Sequence, residues 1–178
     1  MKLIVGLGNP DKKYQNTRHN LGQKIIIDYV EKFYKTTLTN KPNLSAKIFE
    51  IGQGSNKTIF ATPTEYMNNS GITVQKIADF YKISPLNIFI VHDDLDLPVG
   101  EYRVQFDRGP AGHNGIKSIV EKLNTQQFHR LRIGIGHSEN NIPVEDYVLQ
   151  NFSQEESSKV SSITPEIFKE IENYISTI

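Results

Sequence analysis

Two short runs of apolar residues constrain the fold of this chain more than any other feature. Residues 3–5 and 88–91 contain no polar side chain. A strand with one face in water alternates polar and apolar residues, whereas an unbroken apolar run is typical of a strand buried on both faces of a parallel sheet. The two runs therefore predict the buried strands of a parallel sheet.

Four other segments show strand patterns of a more open kind. Residues 102–106 and 131–135 alternate apolar positions with polar residues or glycine, so each segment predicts a half-buried strand. Residues 46–51 and 58–62 flank a turn-rich cluster at 52–57, and this arrangement predicts a β-hairpin.

Apolar residues spaced three and four apart predict helices between these strands. The helical stripes cover residues 21–34, 74–81, 116–123 and 160–178, and a short helix is expected at 144–149. Pro165 falls inside the last stripe, so the last helix should start or kink there. Strands that alternate with helices, together with a local hairpin, predict an α/β fold. We expect a single domain of residues 1–178, with a mixed, mainly parallel twisted sheet flanked by helices on both sides.

The composition excludes several classes of protein. The chain has 178 residues and no cysteine, which removes disulfide scaffolds, thiolate zinc sites, iron–sulfur clusters and cysteine nucleophiles together. No apolar run approaches the roughly 18 residues of a membrane span, and the start of the chain lacks a signal-peptide stretch. We therefore expect a cytoplasmic protein that does not enter a membrane.

The net charge of zero, from 20 basic and 20 acidic residues, argues at first against a nucleic-acid partner. The charges are unevenly distributed, however. Residues 1–50 carry nine basic and four acidic residues, and residues 101–137 carry six and three. Residues 51–100 carry three basic and five acidic residues, and residues 138–178 carry two and eight. One basic face balanced by an acidic remainder is compatible with a polyanionic partner.

Two loops in the first half of the chain carry polar residues that core packing does not require. In the first, Gly6 and Gly8 match the start of a dinucleotide-binding fingerprint, but the third glycine would fall at Asp11. The next helix also begins about ten residues too late for that motif. The second loop, residues 63–71, contains three residues that could cap the following helix: Asn68, Asn69 and Ser70.

Two further loops lie in the second half of the chain. Residues 92–98 follow a buried strand, at the edge where open α/β sheets bind ligands. Asp93 can orient a histidine there. The loop could instead bind Mg²⁺, with His92, Asp93, Asp94 and Asp96 as ligands. It could also be a turn of solvated aspartates. In the glycine-rich loop 108–115, Asn114 either caps a helix or presents its amide to a substrate.

His19 supplies the candidate chemistry. It ends the first loop just before a helix, and an α/β sheet can gather it at one edge with Asp93 and three asparagine side chains. A histidine held in one tautomer by an aspartate can take a proton from water or a hydroxyl. Because no serine lies in a G-x-S-x-G elbow, water activated by His19 is the simplest mechanism.

Five motifs follow one another between Leu3 and about Gly136. They are V-G-L-G-N-P…Y-x-x-T-R-H-N-x-G, P-T-x-Y-M-N-x-S-G, H-D-D-L-D-L-P-x-G, G-H-N-G-x-K-S-I and R-L-R-I-G-I-G. In this order and at this spacing they resemble bacterial peptidyl-tRNA hydrolase. The resemblance implies a monomer that needs no cofactor and no metal. It also implies hydrolysis of the ester between a peptide and the 3′ adenosine of tRNA, which recycles tRNA from stalled or aborted translation.

The resemblance also implies roles for individual residues. His19 matches the catalytic base and Asp93 the carboxylate that orients it. Asn9 matches the residue that separates N-blocked peptidyl-tRNA from free aminoacyl-tRNA. Asn68 and Asn114 match side chains that hold the peptide and ester region. The remaining matches line the same crevice or lie on the side expected to contact the 3′ CCA end and acceptor stem of the tRNA: Tyr14, Tyr66, Met67, His113, Arg103 and Arg132.

The chain departs from the family's pattern at two places. Residues 107–111 replace a nearly all-glycine loop, and Pro110 restricts loop opening there. Arg103 is present, but Gln105 stands where a second basic residue is common, and we hypothesise that Arg108 supplies the missing charge. A non-catalytic RNA-binding protein on the same fold is the alternative function, although RNA binding alone needs no proton acceptor.

Overall fold

The computed structural model describes residues 1–138 and 142–177, which contain one seven-stranded sheet. The strands are β1 (Lys2–Gly6), β2 (Thr39–Lys41), β3 (Ala46–Ile51), β4 (Thr58–Pro63), β5 (Ile88–Asp94), β6 (Tyr102–Phe106) and β7 (His129–Gly134). Their order across the sheet is β2-β3-β4-β1-β5-β7-β6. The central strands β4, β1, β5 and β7 run parallel, and β2, β3 and β6 pair antiparallel at the two edges.

The predicted mixed sheet is confirmed, with parallel pairing confined to its centre. Residues 3–5 and 88–91 lie in the neighbouring strands β1 and β5, and every one of them is at most 1% exposed. The predicted hairpin is also present, as the antiparallel pair β3 and β4. The sequence pattern does not predict β2, because its three residues are all exposed and show no apolar periodicity.

Five α-helices lie in the described residues, and four of them cover the two faces of the sheet. α1 (Leu21–Tyr34) and α5 (Gln154–Ser176) pack on one face, and α2 (Ser70–Tyr81) and α3 (Asn114–Leu123) pack on the other. α4 (Val144–Tyr147) is a single turn between β7 and α5. The predicted helices on both faces are confirmed. Over residues 1–138 and 142–177, no helix has the length and apolar character that crossing a membrane requires.

The last helix does not start at Pro165. α5 begins at Gln154, where the Ser153 side chain accepts the backbone N–H of Glu156 at 3.2 Å and the Glu156 carboxylate accepts that of Ser153 at 2.7 Å. This capping box fixes the helix start well before the proline. The helix continues through Pro165, and apolar residues on both sides of the proline pack on the sheet. This packing offsets the hydrogen bond that an interior proline removes and the clash of its ring with the preceding turn. Ile178, which the predicted stripe includes, lies outside the described residues.

Parallel pairing places three polar loops together, since the carboxyl ends of β1, β4 and β5 meet at one edge of the sheet. α1 lies so close to β5 that a Cβ added to Gly22 would be 2.1 Å from the carbonyl oxygen of Val91. Only glycine fits at that position without displacing the helix. Because His19 lies just before α1, this close contact holds the end of the first loop beside the end of β5.

Candidate active site

His19 and Asp93 form a buried hydrogen-bonded pair at this edge of the sheet. His19 lies in a 3₁₀ turn (Arg18–Asn20), and its backbone N–H donates to the carbonyl oxygen of Val148 at 2.9 Å. Its Nδ1 lies 2.9 and 3.1 Å from the two carboxylate oxygens of Asp93. A proton on Nδ1 is therefore donated to Asp93, which leaves a lone pair on Nε2.

The pairing changes the pKa of both groups. Burial by itself lowers the pKa of His19, but the charge and the hydrogen bond of Asp93 together outweigh burial and raise the pKa above the ordinary value of 6.5. Burial by itself raises the pKa of the Asp93 carboxyl, and the two imidazole rings beside it lower that pKa well below its usual range. Asp93 is therefore ionised at physiological pH, and it stabilises the protonated form of His19.

His113 is the second imidazole on this carboxylate. Its Nδ1 accepts hydrogen bonds from the backbone N–H groups of Gly115 and Ile116, at 3.1 and 3.3 Å. Its Nε2 must therefore carry the proton, which it donates to Asp93 Oδ1 at 3.0 Å. His113, and not Asn114, is the residue that caps α3. These bonds fix the tautomer of His113 and give Asp93 a donor from each of two rings.

Three side chains are close enough to be considered as metal ligands. The nitrogen and oxygen atoms of His19, Asp93 and His113 lie within 4.8 Å of one another. The hydrogen bonds of His113 argue against this use, because a metal on Nε2 would leave both of its nitrogens without a proton. A histidine that binds a metal normally donates its second N–H to a neighbour. The three side chains are therefore better arranged to hydrogen-bond with one another than to bind a metal ion.

The four residues of the Mg²⁺ alternative do not converge on one point. Asp94 accepts a hydrogen bond from Arg132 Nε at 2.6 Å and one from the backbone N–H of Asp96 at 2.9 Å. His92 is buried, which lowers its pKa to about 3, and its Nδ1 donates to the carbonyl oxygen of Asp93 at 2.7 Å. Side chains alternate in direction along β5, which sends Asp93 to the histidines and Asp94 to Arg132.

Asn9 is held in one orientation. Its Oδ1 accepts the backbone N–H of Met67 at 2.9 Å, so its Nδ2 remains available as a donor. Asn20 fixes the Asn9 backbone: its Oδ1 accepts the Asn9 N–H and its Nδ2 donates to the Asn9 carbonyl oxygen, both at 2.9 Å. Sequence reasoning missed this positioning role. The only signal for it was the place of Asn20 directly after His19.

The loop between β4 and α2 supplies further predicted residues. Met67 is buried, and Tyr66 is 50% exposed, with its hydroxyl donating to Asp11 Oδ2 at 2.7 Å. The alternative of helix capping by residues 68–70 is wrong, because no side chain caps α2. The Asn68 side chain makes no hydrogen bond within the described residues, and it borders a cavity. Its amide is therefore available to a ligand.

Two cavities meet at His19. One, of about 210 Å³, continues past Leu95 and His113. The other, of about 320 Å³, continues past Asn9 and Met67. Four residues line both cavities: His19, Asn114, Glu145 and Val148. The predicted site residues found around the two cavities are His19, Asp93, Asn9, Tyr66, Met67, Asn68, His113 and Asn114.

Three predicted site residues do not line either cavity. Tyr14 is half-buried, with Lys13 Nζ 4.8 Å from the centre of its ring, and Arg103 is exposed on β6. Arg132 is only 2% exposed, and its guanidinium donates to Asp94 and Gln105 at 2.6 Å each. This corrects the placement of Arg132 on the tRNA-binding surface, because Asp94 balances its charge inside the protein.

Comparison with known proteins agrees with the motifs. A family model for peptidyl-tRNA hydrolase matches residues 3–178. The chain is 43% identical to the peptidyl-tRNA hydrolase of Francisella tularensis subsp. novicida over 162 residues, which are 91% of this chain and 84% of that protein. It is 42% identical to the peptidyl-tRNA hydrolase of Aliarcobacter butzleri over 172 residues, which are 97% and 91% of the two chains.

The fold agrees as well. A crystal structure of peptidyl-tRNA hydrolase from Acinetobacter baumannii matches with a TM-score of 0.90 and 34% sequence identity, over 98% of this chain and 88% of that chain. Motifs, family model, relatives and fold therefore agree over nearly the whole chain. The chain belongs to the peptidyl-tRNA hydrolase family, and it is a carboxylic ester hydrolase.

Proposed function

We propose that this protein hydrolyses the ester that joins the peptide to the 3′ adenosine of N-blocked peptidyl-tRNA, with His19 as the general base. The observation that carries the proposal is the His19–Asp93 pair, with Nδ1 of His19 bonded to the carboxylate and His19 lying where the two cavities meet. An ester is reactive enough for water activated by a histidine, without a metal or a covalent intermediate. Return of tRNA from stalled or aborted translation is the physiological role.

The reaction proceeds in two steps around His19. Nε2 of His19 takes a proton from water, and the water oxygen bonds to the ester carbonyl carbon. The carbonyl oxygen becomes an oxyanion, which amide donors from Asn9, Asn68 or Asn114 can stabilise. The bond to the 3′ oxygen then breaks, and that oxygen takes the proton from the imidazolium of His19. Asp93 stabilises the imidazolium between the two steps, and the peptide acid loses its own proton to solvent.

Selectivity for a blocked amino terminus follows from the same amides. Nδ2 of Asn9 is left as a donor because Met67 occupies its Oδ1, so Asn9 suits a carbonyl oxygen of the N-acyl group. A free aminoacyl-tRNA has an ammonium group and no such carbonyl, which would leave the buried donor without a partner. An unpaired buried polar group disfavours the wrong substrate.

The tRNA is proposed to approach over the basic part of the molecule. Exposed Arg103 and half-buried Arg108 are the candidates for phosphate contacts, and the rings of Tyr14 and Tyr66 are candidates for contacts to the CCA end. We further propose that the enzyme acts in the cytoplasm as a monomeric single domain and without a cofactor.

The deciding experiment compares wild type with His19→Ala on a model N-acetyl-aminoacyl-tRNA. Loss of a positioned general base should lower turnover by about 10²–10⁴-fold. Binding of deacylated tRNA should survive, because His19 is buried against Asp93 and is not a surface cation.

Two results would favour the rival functions. A wild-type protein that binds tRNA but releases no peptide would be an RNA-binding protein without catalysis. Strong inhibition of the wild type by EDTA would indicate a metal-dependent hydrolase. A His19→Ala variant with the wild-type rate would refute the role of His19 directly.

A further inference from the structure

Glu145 is a charged residue of the active-site region to which the proposed mechanism gives no role. It lies on α4, it is exposed, and it borders both of the cavities that meet at His19. Its place relative to His19 is fixed by the backbone, because the N–H of His19 donates to the carbonyl oxygen of Val148 at 2.9 Å. The hydroxyl of Tyr147, which ends α4, donates to the carbonyl oxygen of Ile135 at 2.7 Å and ties the turn to the end of β7.

The charge of Glu145 is not balanced by its neighbours. The other acids around the first cavity are Asp93, bonded to two imidazoles, and Asp94, paired with Arg132. No lysine or arginine of the described residues lines either cavity, and Glu145 makes no ion pair or side-chain hydrogen bond among them. The two cavities therefore share one unpaired negative charge.

A bound substrate must bring its acyl side chain close to this charge. The reacting carbonyl carbon has to lie beside Nε2 of His19, and the side chain of the esterified residue branches from the next carbon. Whichever cavity that side chain enters, Glu145 is part of the wall. In the first cavity, Leu95, Val144 and Val148 can pack against the methylene groups of a long side chain.

We propose that Glu145 is a specificity-determining residue, which favours esters of cationic amino acids and disfavours esters of acidic ones. The inference rests on the proposed function, since it concerns the acyl group of the same substrate. A lysine or arginine side chain would pack its stem on the apolar wall and place its charge near the Glu145 carboxylate. An aspartate or glutamate side chain would meet a like charge in a site with few compensating cations.

The test uses Glu145→Gln, which removes the charge and keeps the size of the side chain. Three substrates are prepared on one tRNA: N-acetyl-lysyl, N-acetyl-glutamyl and N-acetyl-glutaminyl esters. At low ionic strength, the variant should lose about three- to tenfold in kcat/KM for the lysyl ester, gain a similar factor for the glutamyl ester, and change little for the glutaminyl ester. Using one tRNA removes any difference in tRNA recognition from the comparison.

Asp146→Asn is the matched control. Asp146 is the next residue of α4 and is exposed, but it lines neither cavity, so the same change in net charge should leave the three ratios unchanged. A Glu145→Gln variant that changes all three esters by one common factor would act through the tRNA phosphates, and that would overturn the proposal. Unchanged rates for all three esters would overturn it too. A wild type inactive on every ester would refute the proposed function itself, which this design separates from a loss of selectivity.

Discussion

Asp93 shares one negative charge between two imidazole rings, and the sharing limits how basic His19 can become. Nδ1 of His113 accepts two backbone N–H groups, so the proton that His113 donates to Asp93 lies on its Nε2. A carboxylate with a second donor stabilises the imidazolium of His19 less than a carboxylate bonded to His19 alone. We therefore expect His113 to moderate the rise in the pKa of His19 that Asp93 causes.

The variant His113→Ala should raise the pKa of His19 further. Only neutral His19 accepts a proton, so activity rises with pH through this pKa, and a higher pKa moves the rising limb to higher pH. The profile of kcat/KM against pH reports this value for the free enzyme. Loss of the α3 cap should also lower the free energy of unfolding by about 1 kcal/mol.

His137→Ala is the control for His113→Ala. The side chain of His137 is 68% exposed, and its only ion-pair contact in the described residues is a 3.8 Å approach to Asp96. Its removal should not move the pH profile. If His113→Ala leaves the midpoint of the rising limb where it is in the wild type, His113 does not tune His19.

The sequence predicts which residues carry the chemistry of the candidate site better than it predicts the hydrogen bonds that those residues make. His19 and Asp93 are recognisable because each follows or precedes a clear secondary-structure pattern in a polar loop. The tautomer of His113 depends on the first backbone N–H groups of α3, and the burial of Arg132 depends on the register of β7 against β5. The bonds from His113 to Asp93 and from Arg132 to Asp94 leave no trace in the local sequence, because each joins segments that are distant along the chain.

At the scale of elements, Arg18 ties the turn that carries His19 to α5. Its Nη2 donates to both carboxylate oxygens of Glu156 at 2.8 Å, and its Nη1 donates to the carbonyl oxygen of Asn151 at 2.9 Å. Its guanidinium also lies 4.2 Å from the ring centre of Tyr147. Because Glu156 completes the capping box with Ser153, one carboxylate bonds both to the helix start and to the turn that carries His19.

Glu156→Gln should therefore destabilise the fold in a pH-dependent way. Burial by itself raises the pKa of Glu156, but the bonds from Arg18 and Ser153 outweigh it and lower the pKa below 4.5. A carboxyl with a lowered pKa stabilises the fold above its unfolded pKa, and that stabilisation is lost as the pH falls through the folded pKa. We expect the free energy of unfolding of the variant to be about 1–3 kcal/mol lower at neutral pH. This range allows for the partial exposure of the Arg18–Glu156 pair.

Urea denaturation between neutral pH and about pH 3 measures this effect. The difference in unfolding free energy between wild type and Glu156→Gln should shrink below pH 4.5, as the wild-type carboxyl becomes protonated. Glu155→Gln is the control, because the Glu155 side chain is 78% exposed and, among the described residues, forms an ion pair only with Lys159 on the helix surface. A difference that stays constant over the whole pH range would contradict the linkage.

The same elements show where sequence patterns stop being informative. The buried strands and the amphipathic helices were predictable, because burial imposes a periodicity on consecutive residues. The exposed strand β2 and the start of α5 were not. The first has no buried face. The start of α5 depends on a capping box at Ser153, while Pro165 gives a stronger local signal for a helix start.

At the scale of the whole molecule, a net charge of zero conceals where the cations lie. Arg130 and Arg132 are almost fully buried, so residues 101–137 expose less positive charge than the sequence indicates. The pKa of Arg130 is lowered to about 10 by burial and by the neighbouring positive charges of Arg132 and Arg108. Its Nε and Nη2 have no hydrogen-bond partner in the described residues. Of these neighbouring guanidinium groups, the half-buried one of Arg108 is therefore the one that a phosphate group could reach.

Arg108→Ala tests whether this place compensates for Gln105. Each lost phosphate contact lowers the slope of log K against log salt concentration by about one, so the variant should bind deacylated tRNA more weakly and with a shallower slope. Lys169→Ala is the control, because it removes one positive charge from an exposed position of α5 in the acidic segment 138–178. It should leave the slope nearly unchanged. Binding titrations at several KCl concentrations separate the two expectations. Equal slopes for both variants would mean that Arg108 acts only through net charge, and the basic contact missing at Gln105 would then have no replacement on this loop.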